Sequence, residues 1–298
     1  ADRERLRDAH FSERRLVETA MLAPQWIDVV NDVLSWDGFK EGCYYFMAHM
    51  KQYDYVQKKA EIARFTELEP EELNDGAFDM AWCREVYRRL GEKRFKLLYQ
   101  SAKFLCDNSF HTRARKYADA CLGKVGKEEW RAQAEEKRNK DALNAYCICP
   151  LEDDKDLLER YLYVQRVVKE TKQFGSQRQA SEKRAAEMAV LNLARNSRFE
   201  TVTRLSWMME SELVGQNAWA LSPQRPGPLE NGERPPAQDA IGGKDAGNVS
   251  EYEFWIEIDE QGDNEICVRK NGKKQKSIPA AFKKDETVLK LKEIHSQW

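Results

Sequence analysis

Residues 160–210 constrain the fold more than any other stretch. The text RYLYVQRVVKETKQFGSQRQASEKRAAEMAVLNLARNSRFETVTRLSWMME is helical in pattern and broken once, at Phe174-Gly175-Ser176. Leading into it, Leu157, Tyr161, Val164, Val168 and Thr171 recur four, three, four and three apart, the spacing of one helix face. Leu158, Leu162 and Phe174 widen that stripe. Asp153 or Asp154 suits the N-cap. Gly175 frees the backbone to turn, and Ser176 is placed to cap the next helix. That helix carries Ala185, Ala186 and Ala189 beside Val190 and Leu193, so its neighbours can approach closely. A further helix over 200–214 holds Val202, Leu205, Met208, Met209 and Leu213. Such text commits the region to packed helices.

Upstream the same period continues. Leu6, Phe11, Leu16 and Ala20 mark a first segment. Pro24 suits the first turn of a second, with Trp26, Ile27, Val30 and Leu34 as its stripe. Tyr44, Tyr45, Met47 and Met50 follow Asp37-Gly38. Phe78, Trp82, Val86 and Leu90 share a face, as do Phe95, Leu98, Ala102 and Leu105, with Gly91 between the two runs. Tyr117 to Leu122 leads to a break at Gly123–Gly126, a charged helix over 127–140, and a segment ending in Cys147-Ile148-Cys149-Pro150. Helix and break alternate at roughly 30 to 45 residues without a strict repeat, which suits an irregular helical-pair array or a single helical bundle. The first domain therefore runs over 1–221.

Composition changes sharply over 222–250, which holds five of the nine prolines and reads as a linker or long surface loop. The period then becomes two: Tyr252, Phe254, Ile256 and Ile258 alternate with Glu253, Trp255, Glu257 and Asp259. Ile266, Cys267 and Val268 form a second strand. Asn271-Gly272, flanked by lysines, signals a hairpin. A final helix covers 288–294. The fold class is mainly α, HEAT-like array or irregular bundle, with a small C-terminal antiparallel meander and a last helix over 251–298.

Charge narrows function by exclusion. Lysine plus arginine number 49 against 51 aspartate plus glutamate, and 34% of residues are charged. That balance suits solvated helices and lacks the basic excess of a nucleic-acid coat. No apolar run approaches the roughly 20 residues that cross a bilayer, and the charged start ADRERLRDAHF has no signal-peptide core. Seven scattered cysteines suit reduced thiols. The expected compartment is the cytoplasm.

Chemical motifs are sparse. Gly123-Lys124-Val125-Gly126-Lys127 has Glu128 where a P-loop needs Ser or Thr. His10, His49, His111 and His295 lie far apart, and Cys147-Ile148-Cys149 is a CxC whose completion by Cys121 and His111 competes with simple burial. No GxSxG elbow or HExxH helix occurs. No catalytic residue, metal ligand or cofactor is assigned.

Binding is the remaining candidate. Arg160, Arg166, Lys169, Lys172, Arg178, Lys183 and Arg184 are opposed by only Glu170 and Glu182 within 160–184. On one face they would hold phosphates or an acidic partner; otherwise they are a solvated surface. Arg204, Trp207 and Glu210 stand three apart on one helix, as an interaction stripe or as a buried Trp with flanking salt links.

These same residues resemble a known family. Arg160-Tyr161, Lys172-Gln173-Phe174-Gly175, Arg178, Ser181-Glu182, Asn192-Leu193-Ala194-Arg195-Asn196 and Arg204-Leu205-Ser206-Trp207 with Met209-Glu210 are similar to the large bacterial MolR-like proteins. These carry a domain of unknown function, the 4132 family. A second block, Val268 to Lys274, Lys276 to Pro279 and Lys283-Lys284-Asp285, adds to it. The resemblance implies a fragment of a longer cytoplasmic protein and supplies no activity. The expectation is a helical scaffold that binds macromolecules: a protein partner, or the remainder of its own longer chain. A nucleic-acid module using 160–184 and a non-catalytic part of an enzyme stand as alternatives. No membrane role is expected.

Overall fold

A computed structural model of the chain describes residues 6, 9–51, 59–106, 109–227, 252–259 and 263–297. It is mainly helical, with thirteen α-helices and a three-stranded antiparallel sheet among the described residues. The chain divides into two compact units, 1–205 and 206–298.

The first unit holds α1 (Glu13–Leu22), α2 (Ile27–Leu34), α3 (Phe39–Ala48), α4 (Lys59–Ile62), α5 (Pro70–Asp75) and α6 (Met80–Ser101). Then come α7 (His111–Cys121), α8 (Lys127–Lys137), α9 (Lys140–Ile148), α10 (Asp154–Glu170) and α11 (Ser176–Asn196). The division falls inside α12 (Val202–Gln216). Local chemistry starts these helices. Ser12, Asp79, Asn139 and Asp153 each accept a hydrogen bond from the backbone N–H three residues on, satisfying a donor the helix leaves orphaned. Helix α11 departs from expectation: Gly175 occupies its N-cap and makes no side-chain bond, while Ser176 is already its first residue. Gly91 breaks α6 with φ 71 and ψ 166, a conformation open to glycine.

Helix α3 is buried all round from Gly42 to Ala48, so it is a core helix and not an amphipathic one. A Cβ at Gly42 would lie 2.9 Å from Leu98 Cδ1, so α6 packs there because the position has no side chain. Helix α9 is the second hub. Its residues Ala142 to Ile148 are buried against α7, α8 and α11, which makes the architecture an irregular bundle. Polar side chains tie off the chain ends inside. Asn192 accepts from the Phe78 N–H (2.9 Å) and donates to Gly76 O (3.0 Å) and Asn144 Oδ1 (2.8 Å). Arg113 donates to the carbonyls of His49, Met50, Leu73 and Asn74, at or just beyond the ends of α3 and α5.

One break differs from the sequence expectation of a continuous helix over 127–140. Helix α8 stops at Lys137, Arg138 turns left-handed with φ 46 and ψ 42, and Asn139 caps α9. An arginine at positive φ is uncommon, and no glycine or proline announces the turn.

In the second unit, β1 (Tyr252–Ile258), β2 (Asn264–Lys270) and β3 (Lys273–Gln275) pair antiparallel in that order. Phe254 faces Val268 and Ile256 faces Ile266 across the first pair. Asn271 (φ 47) and Gly272 (φ 81) both adopt the positive φ of a two-residue hairpin turn. Phe254, Ile256 and Val268 pack with Ala220 and with Val288, Leu291 and Ile294 of α13 (Glu286–Gln297). Gln224 pairs with Phe254 through two 2.8 Å backbone bonds and covers part of the β1 edge. From residue 228 onward, the expected 222–250 linker lies outside the described residues. No helix among the described residues is long and apolar enough to cross a membrane.

Candidate functional site

The turn at Arg138-Asn139 opens a cleft of about 360 Å³ between the end of α8, the start of α9, and the faces of α10 and α11. Its apolar lining comes from Ala134, Leu143, Tyr163, Val167 and Ala185; its charged lining from Glu135, Arg138, Lys140, Arg166, Glu170 and Glu182. The spacing of each helix explains the convergence. Tyr163, Arg166, Val167 and Glu170 lie three or four apart on α10, and Ala134, Glu135 and Arg138 do the same at the end of α8.

The charges form an alternating ladder. Arg131 Nε lies 3.3 Å from Glu135, and Arg166 Nη2 lies 2.7 Å from the same oxygen. Arg166 Nε is 3.7 Å from Glu170, which also accepts from Arg138 Nη1 at 2.9 Å. Arg138 Nε donates to Glu182 at 2.9 Å, and Arg178 Nε donates to its other oxygen at 2.8 Å. Four arginines thus alternate with three glutamates. Two rings brace the ladder: Tyr163 lies 5.3 and 5.1 Å from the Arg131 and Arg166 guanidiniums, and Phe174 lies 4.9 and 3.8 Å from those of Arg138 and Arg178. Burial pushes the Glu182 carboxyl up, but Arg178 and Arg138 outweigh it and hold it below the usual carboxylate range. Lys140 stands apart. It donates to Ser181 Oγ at 2.6 Å and is in no ion pair among the described residues.

The candidate residues named from sequence are dispersed. Arg166 lines the cleft, and Arg178 supports it through Glu182 and Phe174. Arg160 is fully buried. It donates to the carbonyls of Tyr146, Cys149 and Pro150 and makes two bonds to Asp156, so it locks α10 onto the end of α9 and is not part of a surface face. Lys169, Lys172 and Lys183 are exposed, and Lys183 pairs loosely with Glu187 at 3.9 Å. On α12, Arg204 pairs with Glu200 at 2.8 Å, Glu210 is exposed, and Trp207 is 68% exposed, which removes the buried-tryptophan alternative. Sequence reasoning missed Glu135, Arg138 and Lys140. Asn139, a capping residue followed by a buried run, was the available signal.

Other motifs are structural where they are described. Lys127 of the glycine-lysine turn pairs with Glu152 at 2.8 Å and Asp156 at 3.0 Å. Cys147 and Cys149 are buried, which pushes each thiol up to about 12. Cys106, and not the CxC pair, lies 3.9 Å from His111 Nδ1. Among the described residues, one group of three metal-capable side chains lies within 4.8 Å: Glu257, Glu265 and Cys267. There the Lys274 ammonium already bridges both carboxylates at 3.1 and 3.0 Å.

A family model described as a family of unknown function (DUF5724) matches residues 3–209. No curated protein and no solved structure matches the chain.

Proposed function

Because the chain belongs to the family of unknown function DUF5724, which brings no activity with it, we propose that it is a helical scaffold whose α8–α11 cleft docks a segment of another protein or of a longer form of its own chain. The observation that carries this reading is the cleft itself, where five apolar or aromatic side chains stand among six pre-positioned charges. Concave, mostly apolar sites with a few fixed polar groups are where ligands bind. The carboxylates there are each held by two arginines and Glu182 is kept ionised, an arrangement suited to orientation more than to proton transfer.

The nucleic-acid alternative has less support. Arg131, Arg138, Arg166, Arg178 and Arg204 all pair with carboxylates, so few are left to neutralise a row of phosphates. The finer likeness to bacterial MolR-like proteins rests on two blocks. The first, Arg160 to Glu210, lies within the matched span except for its last residue, the second, from Val268, lies outside it, and the matching family model is DUF5724 and not the expected 4132 family. A cytoplasmic setting suits seven cysteines that form no disulfide, six of them buried.

The test is a selection from a displayed dodecapeptide library on the full chain. Enriched peptides should lose at least about tenfold in affinity for Val167→Trp, which fills the cleft from its half-buried rim. Peptides that bind Val167→Trp as tightly as wild type, with the helical circular dichroism unchanged, contradict the proposal.

A further inference from the structure

Resting on that docking function, we infer that the cleft selects a segment presenting a carboxylate side chain next to an apolar one. The lining sets three cations, Arg138, Lys140 and Arg166, against three carboxylates, Glu135, Glu170 and Glu182, and of the six only Lys140 is in no ion pair among the described residues. Each glutamate already binds two arginines. An incoming cation would meet carboxylates already neutralised by two guanidiniums each, and would lie beside those like charges. An incoming carboxylate meets no such obstacle, because Lys140 gives up only a serine hydroxyl.

The position of Lys140 points the same way. It opens α9, where the helix dipole disfavours a cation. Its ammonium therefore gains little for folding at that place and adds to the pull on an anion at the cleft mouth. Arg166 is the second contact. Its side chain is 54% exposed and its 3.7 Å approach to Glu170 is loose, so it can turn toward a carboxylate while keeping Glu135. Leu143 and Val167 offer apolar surface beside both cations. A volume of about 360 Å³ holds one or two side chains. It does not offer the track of unpaired cations that a nucleic-acid strand needs.

The experiment uses the full chain and three fluorescein-labelled dodecapeptide pools, randomised except for a central Glu-Leu, Gln-Leu or Lys-Leu pair, read by fluorescence anisotropy. The Glu-Leu pool should bind about tenfold tighter than the other two, the worth of one charge-assisted hydrogen bond. Lys140→Ala should remove that tenfold preference, Lys140→Arg should keep it, and Arg184→Ala, whose arginine pairs with Asp75, should leave it unchanged. If the Gln-Leu or Lys-Leu pool binds as tightly as Glu-Leu and is still weakened by Val167→Trp, the acidic preference is overturned while docking in the cleft stands. If no pool binds, or Val167→Trp leaves binding unchanged, both readings fall. Glu-Leu selectivity that survives Lys140→Ala overturns the role given to Lys140 and with it the inference.

Discussion

Arg160 and Arg166 sit six residues apart on α10 and do opposite work. Arg160 is sealed in, with five hydrogen bonds to three carbonyls and to Asp156. Arg166 is half in water and belongs to a ladder of pairs. Removing Arg160 takes a donor from three carbonyls and leaves Asp156 with only Lys127 and the Glu152 N–H, so Arg160→Ala should cost about 3–5 kcal/mol in urea unfolding. Arg166→Ala should cost about 1 kcal/mol or less, as exposed pairs do. The pH dependence has a definite sign. Burial raises the Asp156 carboxyl, but bonds from Arg160, the Glu152 N–H and Lys127 hold it below its ordinary value. A depressed carboxyl contributes stability above its unfolded pKa of about 3.9 and loses it as pH falls through the folded value. Asp156→Asn should therefore be less stable than wild type at pH 7 and lose less on acidification to pH 3. Equal urea midpoints for Arg160→Ala and Arg166→Ala would refute the division of labour.

At the scale of elements, the breaks carry as much information as the helices. Gly91, at φ 71 and ψ 166, halts α6 with no atom within 4 Å of a built Cβ, so backbone preference alone demands glycine there. Gly91→Ala should cost about 1–3 kcal/mol, the price of a residue held in a glycine-only region, and thermal unfolding measures it. An unchanged or raised melting temperature would mean that α6 runs straight in solution. The turn at Arg138 is the opposite case. Its neighbour Asn139 supplies the cap, while the arginine accepts positive φ in return for bonds to Glu170 and Glu182 and a place over Phe174. Periodicity placed α10 and α11, the break at Gly91 and the Asn271-Gly272 hairpin, because each has a local cause in residue type. The Arg138 turn was only half legible: Asn139 marks the cap in the sequence, but the partners that hold the arginine lie 32 and 44 residues away. Arg160 misled for the same reason: an arginine's charge shows in the sequence, but the carbonyls that absorb it do not.

At the scale of the whole molecule, the two units rest on different cores. The first is organised by α3 and α9, and the second by the sheet on α13. The exposed Trp207 and the cleft were equally hidden in the sequence, since exposure and concavity arise only when helices from distant segments meet. In the proposed function, the gap opened by the Arg138 turn is where a protein segment docks. Methyl-resolved NMR of the full chain, titrated with the tightest peptide from the library selection, tests it most directly. The predicted result is that shift changes concentrate on the methyls of Ala134, Leu143, Val167 and Ala185. Changes centred on other methyls, with these four unmoved at saturation, would contradict it.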